Sequence, residues 1–411
     1  MTAGGGAAVG AVVLDGDYRG LGIVRSLGRQ GIETLVVHGD ATLATHSKYC
    51  SRAVRWPGPS PEQHLAFLIE LADRHGLGGW VVFPTTDEEA WQVSRQSAML
   101  SEFFRLTTPP WGVFSVAADK RRLGAVAASI GVETPRSWLP RTVAEVEQLE
   151  VPYPVVLKPT KRQSLNDLTS AKAWRVDDHD ELVRRWRDAA ALVGAEDLLV
   201  QELIPGGGNH QLSYAAVCVR GRPRLSVTAR RARQWPPDFG RASTYVETVE
   251  RPDVTAAATR LLAALEIDGL VEVEFKQDPR DGVLKLLDVN ARVWGWHSIG
   301  DAAGVDFAHG AYLLALGADV PVRTGTPGVR WARLAIDVPA SARAISGGDL
   351  GVAEYLWSLR PGLHGPVAAR DDMLPAVVEL PLLARASRRG QVHRRQRSEP
   401  NRPAPAPSMT R

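Results

Sequence analysis

The chain has 411 residues, of which 44% are hydrophobic and 23% charged, and its formal net charge is +3. This length exceeds what one hydrophobic core usually supports, so we expect two or three domains. Its two cysteines provide neither a metal-ligand spacing nor a disulfide framework. No basic signal segment opens the sequence, and no apolar run is long enough for a transmembrane helix. We therefore expect a cytoplasmic protein that does not associate with a membrane.

The positive charge is concentrated at the C-terminus. Residues 385–411 contain eight Arg and one Glu, so the rest of the chain carries a net charge near −4. A body with this charge is not expected to bind nucleic acid. Pro and Ala alternate over 403–407, and we predict that 385–411 is a disordered basic tail.

The N-terminal part of the chain alternates predicted strands and helices. A buried strand over 8–14 leads into an apolar-periodic helix, and a second strand follows over 33–37. A helix over 61–75 and a strand over 80–83 continue the pattern. This order predicts a Rossmann-like α/β domain.

Two features of this domain bear on ligands. Gly16, Gly20 and Gly22 lie in the first strand–helix turn, but their spacing is G-x-x-x-G-x-G rather than the dinucleotide pattern G-x-G-x-x-G. We therefore do not expect NAD binding. The polar segment 84–87 follows a buried strand, where it either faces a ligand or caps the next helix.

The candidate site centres on two runs, 269–276 and 284–292, in which apolar and polar residues alternate. A turn rich in Asp, Pro and Gly separates them. Alternation predicts an antiparallel hairpin with Glu274 opposite Asp288. Carboxylates in such a pair have Cβ atoms about 5 Å apart and repel each other unless a cation lies between them. We therefore predict a metal site, the alternative being an exposed hairpin with scattered charges.

Neighbouring residues complete the predicted metal site. Asn290 shares the face of Asp288 and adds a neutral oxygen. Together with Glu274 these residues form the hard oxygen set that Mg²⁺ prefers when phosphate oxygens and water fill the remaining positions. Arg292 then points toward the anion that the metal holds.

The combination of Glu-x-Phe in one strand and Asp-x-Asn-x-Arg in the next resembles the ATP-grasp superfamily, whose members hold one or two Mg²⁺ ions on ATP. That family usually has Glu where this chain has Asp288, whose side chain is shorter by one methylene. The ordered motifs cover roughly residues 8–320 and are most similar to the carboxylate–amine ligase branch.

The resemblance implies that three lysines bind ATP. Asp-Lys120 before a helix, and a strand that ends in Lys158-Pro, are similar to the family segments that contact the phosphates and the base side of ATP. The family then has a loop, commonly glycine-rich, that covers the phosphates. Here residues 160–172 contain no glycine, so Lys172 and its basic neighbours would supply charge instead.

The resemblance also implies an adenine site. The strand and bend at 198–206 are similar to the family's linker between its two halves, where backbone atoms bind adenine and an apolar side chain covers the ring. Gln201, Glu202 and Ile204 occupy that place in this chain.

A third implied group is catalytic. Arg231 and Arg233 are predicted to share one strand face and to stabilise the γ-phosphate or an acylphosphate beside Arg292, the alternative being a solvated basic turn. His297 follows in a Trp-rich loop. It is interpreted as a structural hydrogen-bonding residue in preference to a general base.

The resemblance implies an α/β protein with this organisation: a Rossmann-like domain over 1–110, a two-part ATP-grasp domain over 111–320 and a small C-terminal α/β appendage over 321–384. The implied activity is an ADP-forming ligase that uses ATP and Mg²⁺ to join a small-molecule carboxylate to an amine through an acylphosphate. An amino acid or a similar metabolite is the expected substrate, and a homodimer is left open.

Two other functions stay open. A nucleotide-binding regulatory protein without turnover is the main alternative, supported by Asp288 and by the glycine-free loop. An NAD-dependent oxidoreductase is more distant.

Overall fold

The structure, a computed structural model, describes residues 9–40, 42–56, 58, 61–160, 173–236 and 242–398. Lys172 and the rest of the loop 161–172 therefore lie outside the described residues, as does the tail from residue 399. None of the described helices combines the length and the apolar character that a membrane span requires.

The N-terminal sheet is parallel, as the alternating pattern predicts. Its elements are β1 Ala11–Leu14, α1 Tyr18–Arg29, β2 Thr34–His38, a 3₁₀ turn at Leu43–His46, β3 Arg52–Arg55, α2 Pro61–His75, β4 Val81–Pro84, α3 Asp87–Arg95, α4 Ser97–Leu100 and β5 Arg105–Leu106. The strand order is β3-β2-β1-β4-β5. Residues of β1 and β4 are buried throughout, as expected of central parallel strands covered on both faces. Because the order reverses between β1 and β4, their carboxyl ends border a crevice.

A smaller antiparallel sheet follows. Its elements and their neighbours are α5 Trp111–Ala118, α6 Lys120–Ser129, β6 Ser137–Trp138, α7 Val143–Glu147, β7 Val155–Pro159, β8 Trp174–Val176, α8 His179–Val193, a 3₁₀ turn at Ala195–Asp197 and β9 Leu198–Glu202. The strand order is β6-β9-β7-β8. Val155, Leu157 and Val200 pack against Leu182 and Trp186 of α8. Alternation therefore places Lys158 on the opposite face of β7.

The remaining strands form a large mixed sheet. Its elements and their neighbours are a 3₁₀ turn at Gly208–His210, β10 Gln211–Val219, β11 Arg222–Trp235, β12 Ala242–Thr248, α9 Pro252–Leu265, β13 Gly269–Gln277, β14 Leu284–Asn290, α10 Ile299–Ala303, α11 Phe307–Ala315, β15 Arg323–Thr324, β16 Arg330–Ala332, α12 Leu334–Ser346, α13 Val352–Ser358, β17 Leu363–His364 and α14 Leu374–Ser398. The order is β14-β13-β10-β11-β12-β16-β17, and β15 pairs with β11.

The two faces of β13 have different environments, as the alternation predicts. Val271, Val273 and Phe275 belong to a core with residues of α9, including Val254 and Leu261. The other face of β13 carries its glutamates. This arrangement anchors the strand through its apolar side and leaves the polar side for the candidate site.

The C-terminal third departs from the predicted elements in three places. The apolar run 302–317 and its closing glycine predict a single helix, but the structure has two short helices, because Gly304 adopts φ +83° after α10 and Asp306 caps α11 through the backbone N–H of His309. β16 pairs with β12 and β17 with β16, so the segment expected as an appendage covers an edge of the large sheet. The predicted tail is helical in its described part, where α14 continues to Ser398, since Arg, Ala and Gln favour helix.

Candidate active site

The hairpin of β13 and β14 brings Glu274 directly opposite Asp288, as predicted. This register depends on a β-bulge. Nearer the turn Lys276 pairs with Lys285, and an uninterrupted ladder would continue to Leu287 opposite Glu274. A register shift between Glu274 and the next residue moves the pairing by one. Because a shift of one residue exchanges the two faces of a strand, the bulge turns Asp288 toward Glu274.

Each predicted metal-binding acid has a cationic partner. Both Asp288 carboxylate oxygens lie 3.3 Å from Nζ of Lys120. Glu274 accepts a hydrogen bond from Nη1 of Arg231 and another, at 2.7 Å, from Nδ2 of Asn290. The structure thus groups five of the residues predicted from the sequence.

The donor chemistry of this group fits Mg²⁺. Glu274 and Asp288 carry carboxylate oxygens, and Asn290 carries an amide oxygen that in this structure accepts from Arg292; all are hard ligands. In the part of the chain that the structure describes, no group of three or more His, Cys, Asp or Glu residues is arranged to hold a metal ion. A cation at the hairpin would therefore need oxygens from the nucleotide and water as well.

Glu272 is a neighbouring acid that the sequence interpretation did not include in the site. Its carboxylate accepts hydrogen bonds from Nε1 of Trp296 at 2.9 Å and from Nδ2 of Asn290 at 3.2 Å. Burial, together with the charge of Glu274, raises the pKa of Glu272 to about 7. The signal was present in the sequence, because Glu272 and Glu274 alternate onto one face of the same strand.

Arg292 lies beside this group and is held by three acceptors. Its Nε donates to Oδ1 of Asp87 at 2.6 Å, its Nη1 to the carbonyl oxygen of Val293 at 2.7 Å and its Nη2 to Oδ1 of Asn290 at 3.3 Å. Asp87 belongs to the polar segment after β4 for which the sequence left two alternatives. Thr86 caps α3 through the N–H of Glu89, at 3.1 Å, while Asp87 reaches the candidate site.

The prediction that Arg231 and Arg233 share one face is wrong. The Arg233 guanidinium donates to both carboxylate oxygens of Asp337, at 2.9 and 2.7 Å, and stacks on Tyr245. The pairing of β11 with β12 shifts register between Arg230 and Arg233, so an additional residue breaks the alternation. Of the two predicted arginines, only Arg231 therefore contacts the acids of the hairpin.

The predicted phosphate-binding lysines come from adjacent segments. Asp119 caps α6, which begins at Lys120, and the backbone N–H of Lys120 donates to the carbonyl oxygen of Thr160 at 3.2 Å. Thr160 follows the strand that carries the half-buried Lys158. The structure thus links the helix of Lys120 with the strand of Lys158.

The predicted adenine-binding residues lie at the end of β9. Gln201 donates to Oγ of Ser137 at 2.9 Å. Glu202 lies 2.5 Å from Nη2 of Arg280 and 3.2 Å from Nζ of Lys285, while Ile204 is buried. The side chains of Gln201 and Glu202 thus have protein partners, and a nucleotide contact at this place stays a prediction.

Helix α1 packs closely on the loop that follows Arg292. His297 makes a hydrogen bond at 3.0 Å with the carbonyl oxygen of Arg19, and burial lowers the pKa of His297 to about 4. A Cβ at Gly22 would lie 2.7 Å from the same imidazole. The geometry agrees with the structural role predicted for His297, because the neutral ring is enclosed by helix and loop.

Comparisons with known proteins bear on the fold. Residues 195–334 match a family model described as ATP-grasp in the biosynthetic pathway with Ter operon. A comparison with curated protein sequences finds no match.

Several solved structures share the fold. An L-amino acid ligase from Bacillus licheniformis has a TM-score of 0.58 and 17% identity, and the match covers 75% of this chain and 74% of the ligase. The biotin carboxylase domain of Hydrogenobacter thermophilus 2-oxoglutarate carboxylase, crystallised as a dimer with MgADP, ADP and bicarbonate, has a TM-score of 0.62 at 16% identity over 78% of this chain and 72% of that one. Biotin carboxylase from Campylobacter jejuni, in complex with β-γ-ATP, has a TM-score of 0.62 at 15% identity over 76% and 72% of the two chains. These solved structures share the fold of this chain, and residues 195–334 match an ATP-grasp family model.

Proposed function

We propose that this protein is an ADP-forming ligase that uses ATP and Mg²⁺ to join a carboxylate to an amine through an acylphosphate. The observation that carries the proposal is the grouping of two opposed carboxylates, Glu274 and Asp288, with Arg231 and Lys120 in direct contact. Opposed acids beside fixed cations form a site suited to a metal-bound, multiply charged anion such as ATP.

The residues of the hairpin and of the neighbouring elements have distinct proposed roles. Glu274, Asp288 and Asn290 would hold Mg²⁺, which when bound screens the charge of the β- and γ-phosphates. Lys120 and Lys158 would contact the phosphates from the other side.

The first chemical step transfers the γ-phosphoryl group. A carboxylate oxygen of the substrate attacks the γ-phosphorus, the bond from that phosphorus to the bridging oxygen breaks, and ADP leaves. Arg231 and Arg292 would stabilise the charge that develops, a contribution of about 3–4 kcal/mol for a well-placed donor. Their burial strengthens this effect because water does not screen them.

The second step forms the new C–N bond. The amine nitrogen attacks the acyl carbon, the bond from that carbon to the phosphate oxygen breaks, and inorganic phosphate leaves while the nitrogen loses a proton. We infer an amino acid as one substrate, because one of the structural neighbours is an L-amino acid ligase. The crevice between β1 and β4 is the proposed binding place for the substrate other than ATP, since Asp87 at its edge contacts Arg292.

We propose further that Gln201, Glu202 and Ile204 border the adenine ring, as the ATP-grasp pattern implies. A homodimer is the assembly to test, because one structural neighbour is a dimer. Light scattering of the purified chain measures the assembly directly.

The test of the proposed function is ADP release from ATP and Mg²⁺ with pairs of amino acids. We expect at least one pair to stimulate release, and Glu274→Gln to abolish the stimulation. Glu247→Gln is the matched control, because Glu247 lies on the same sheet but pairs with Arg230. If ATP binds and no pair of acid and amine stimulates ADP release, the regulatory alternative replaces the ligase.

A further inference from the structure

Tyr18, the first residue of α1, has a buried side chain whose hydroxyl has no hydrogen-bond partner among the residues that the structure describes. Its relative exposure is 8%. A buried tyrosine usually satisfies its O–H group, so this hydroxyl is available to a ligand.

The hydroxyl lies at the loop that follows Arg292. A Cβ at Gly295 would be 2.7 Å from the Tyr18 oxygen, so the absence of a side chain at this position permits the close approach. The Arg333 guanidinium lies 4.0 Å from the centre of the Tyr18 ring. The ring is therefore fixed on one face by a cation and at its polar end by the backbone of the candidate site.

Charge around the phenol indicates the kind of ligand. The charges that act on the Tyr18 phenol are those of Arg19, the carboxylate of Asp17, Arg333 and Arg292, and the phenol in turn raises the pKa of Arg231. Burial raises the pKa of Tyr18, so its hydroxyl remains a proton donor at neutral pH. A donor near three arginines and one carboxylate lies in a net positive environment, which favours an anion over an ammonium group.

We propose that the Tyr18 hydroxyl donates a hydrogen bond to the carboxylate substrate beside Arg292, so that α1 forms part of the acid-binding site. The inference rests on the proposed ligase function. It assigns the contact to the substrate acid rather than to ATP because Lys120 lies at the Asp288 end of the hairpin, whereas Tyr18 lies at Gly295, beyond Arg292.

The competing explanation is that Tyr18 only fills the core, since its ring belongs to the apolar cluster of α1 and the large sheet. Tyr18→Phe separates the two explanations because it keeps the ring and removes one oxygen. As no internal hydrogen bond is lost, the unfolding midpoint should not change. We expect the KM for the carboxylate to rise at least tenfold, the loss typical of a hydrogen bond to a charged acceptor, while the KM for ATP stays within about twofold.

Tyr312→Phe is the matched control. The Tyr312 hydroxyl donates to the carbonyl oxygen of Val9 at 2.5 Å in the same core. Its removal should lower the unfolding midpoint and leave the KM for the carboxylate unchanged. An unchanged carboxylate KM in Tyr18→Phe, or a rise in the KM for ATP instead, would overturn the proposal.

A separate experiment tests the Tyr18 contact if the proposed ligase function itself fails. If wild-type protein releases no ADP with any pair, binding of carboxylates is measured by thermal shift in the presence of Mg²⁺ and a non-hydrolysable ATP analogue. An acid that stabilises the wild type but not Tyr18→Phe supports the contact without turnover. The contact is rejected if acids stabilise both proteins equally, or if no acid stabilises the wild type.

Discussion

Nε of Arg292 lies 2.6 Å from Oδ1 of Asp87, so a residue of the N-terminal domain holds the arginine that follows the predicted metal hairpin. Arg292 is almost fully buried, and its pKa falls to about 10 through burial and the nearby charge of Arg19. The carboxylate of Asp87 offsets part of the free energy that burial of the Arg292 charge costs, and it orients the guanidinium. Two N–H groups of the Arg292 guanidinium, one on each Nη atom, remain for a substrate anion.

Replacement of Asp87 should therefore affect both stability and turnover. We expect Asp87→Asn to lower the free energy of unfolding by about 1–3 kcal/mol, the range for a hydrogen bond to a charged group. We also expect it to lower kcat about tenfold, because the guanidinium loses its fixed orientation. Denaturant unfolding and ADP release measure the two effects. Asp371→Asn, which breaks an exposed pair with Arg29, should change neither by more than a small amount; an unaltered kcat in Asp87→Asn would contradict the positioning role.

Arg231 and Arg233 provide a matched pair of substitutions. Arg231→Lys should reduce kcat about 100-fold, since a lysine cannot reproduce a guanidinium donor aimed at developing charge. Arg233→Ala should leave kcat within about twofold but destabilise the fold by about 3–5 kcal/mol, because Asp337 is completely buried and loses its partner. Kinetics and denaturant unfolding of both variants test the difference. If Arg231→Lys and Arg233→Ala lower kcat equally, the original prediction that both arginines face the site would be supported instead.

Asn290→Asp should make stability depend more strongly on Mg²⁺. The amide of Asn290 donates to Glu272 and Glu274, so a carboxylate there adds a negative charge to an acidic group. We expect a lower unfolding midpoint than wild type in chelator and a larger increase on addition of Mg²⁺. Thermal unfolding with a non-hydrolysable ATP analogue, with and without the metal, measures both changes. An equal response of variant and wild type to Mg²⁺ would argue against a cation at this hairpin.

The buried imidazole of His297 predicts a loss of stability in acid. Burial lowers its pKa from 6.5 to about 4. Between these values the unfolded chain binds a proton that the folded protein excludes, so the contribution of His297 is complete above pH 6.5 and is lost as the pH falls to about 4. The difference corresponds to about 3 kcal/mol.

His297→Gln keeps an amide donor for the carbonyl oxygen of Arg19 without an ionisable ring. We expect the wild type to lose about 3 kcal/mol more than this variant between pH 7 and pH 4. Denaturant unfolding across this pH range gives the comparison. His364→Gln, at an exposed position, should follow the wild type; a parallel decline of His297→Gln and wild type would show that another group dominates.

Local patterns were sufficient for much of the fold. The runs of buried residues in β1 and β4 predicted a parallel N-terminal sheet, and the alternation around Val273 separated the core face of β13 from the face of Glu274. The bounds of α2 and α9 also follow from their periodicity, and Pro252 begins α9. These features depend on residues that are neighbours in the sequence.

By itself the sequence determined which strand faces are polar, which residues begin the helices and which acids and cations were candidates for one site. The pairing of Glu274 with Asp288 was predicted from the sequence, but only the tertiary structure decided that a bulge produces it, that another bulge separates Arg231 from Arg233, and that Asp87 holds Arg292. A bulge shifts a strand by one residue without altering the alternating pattern on either side of it. Contacts between residues some two hundred positions apart arise only when separate sheets pack together, so no local periodicity encodes them.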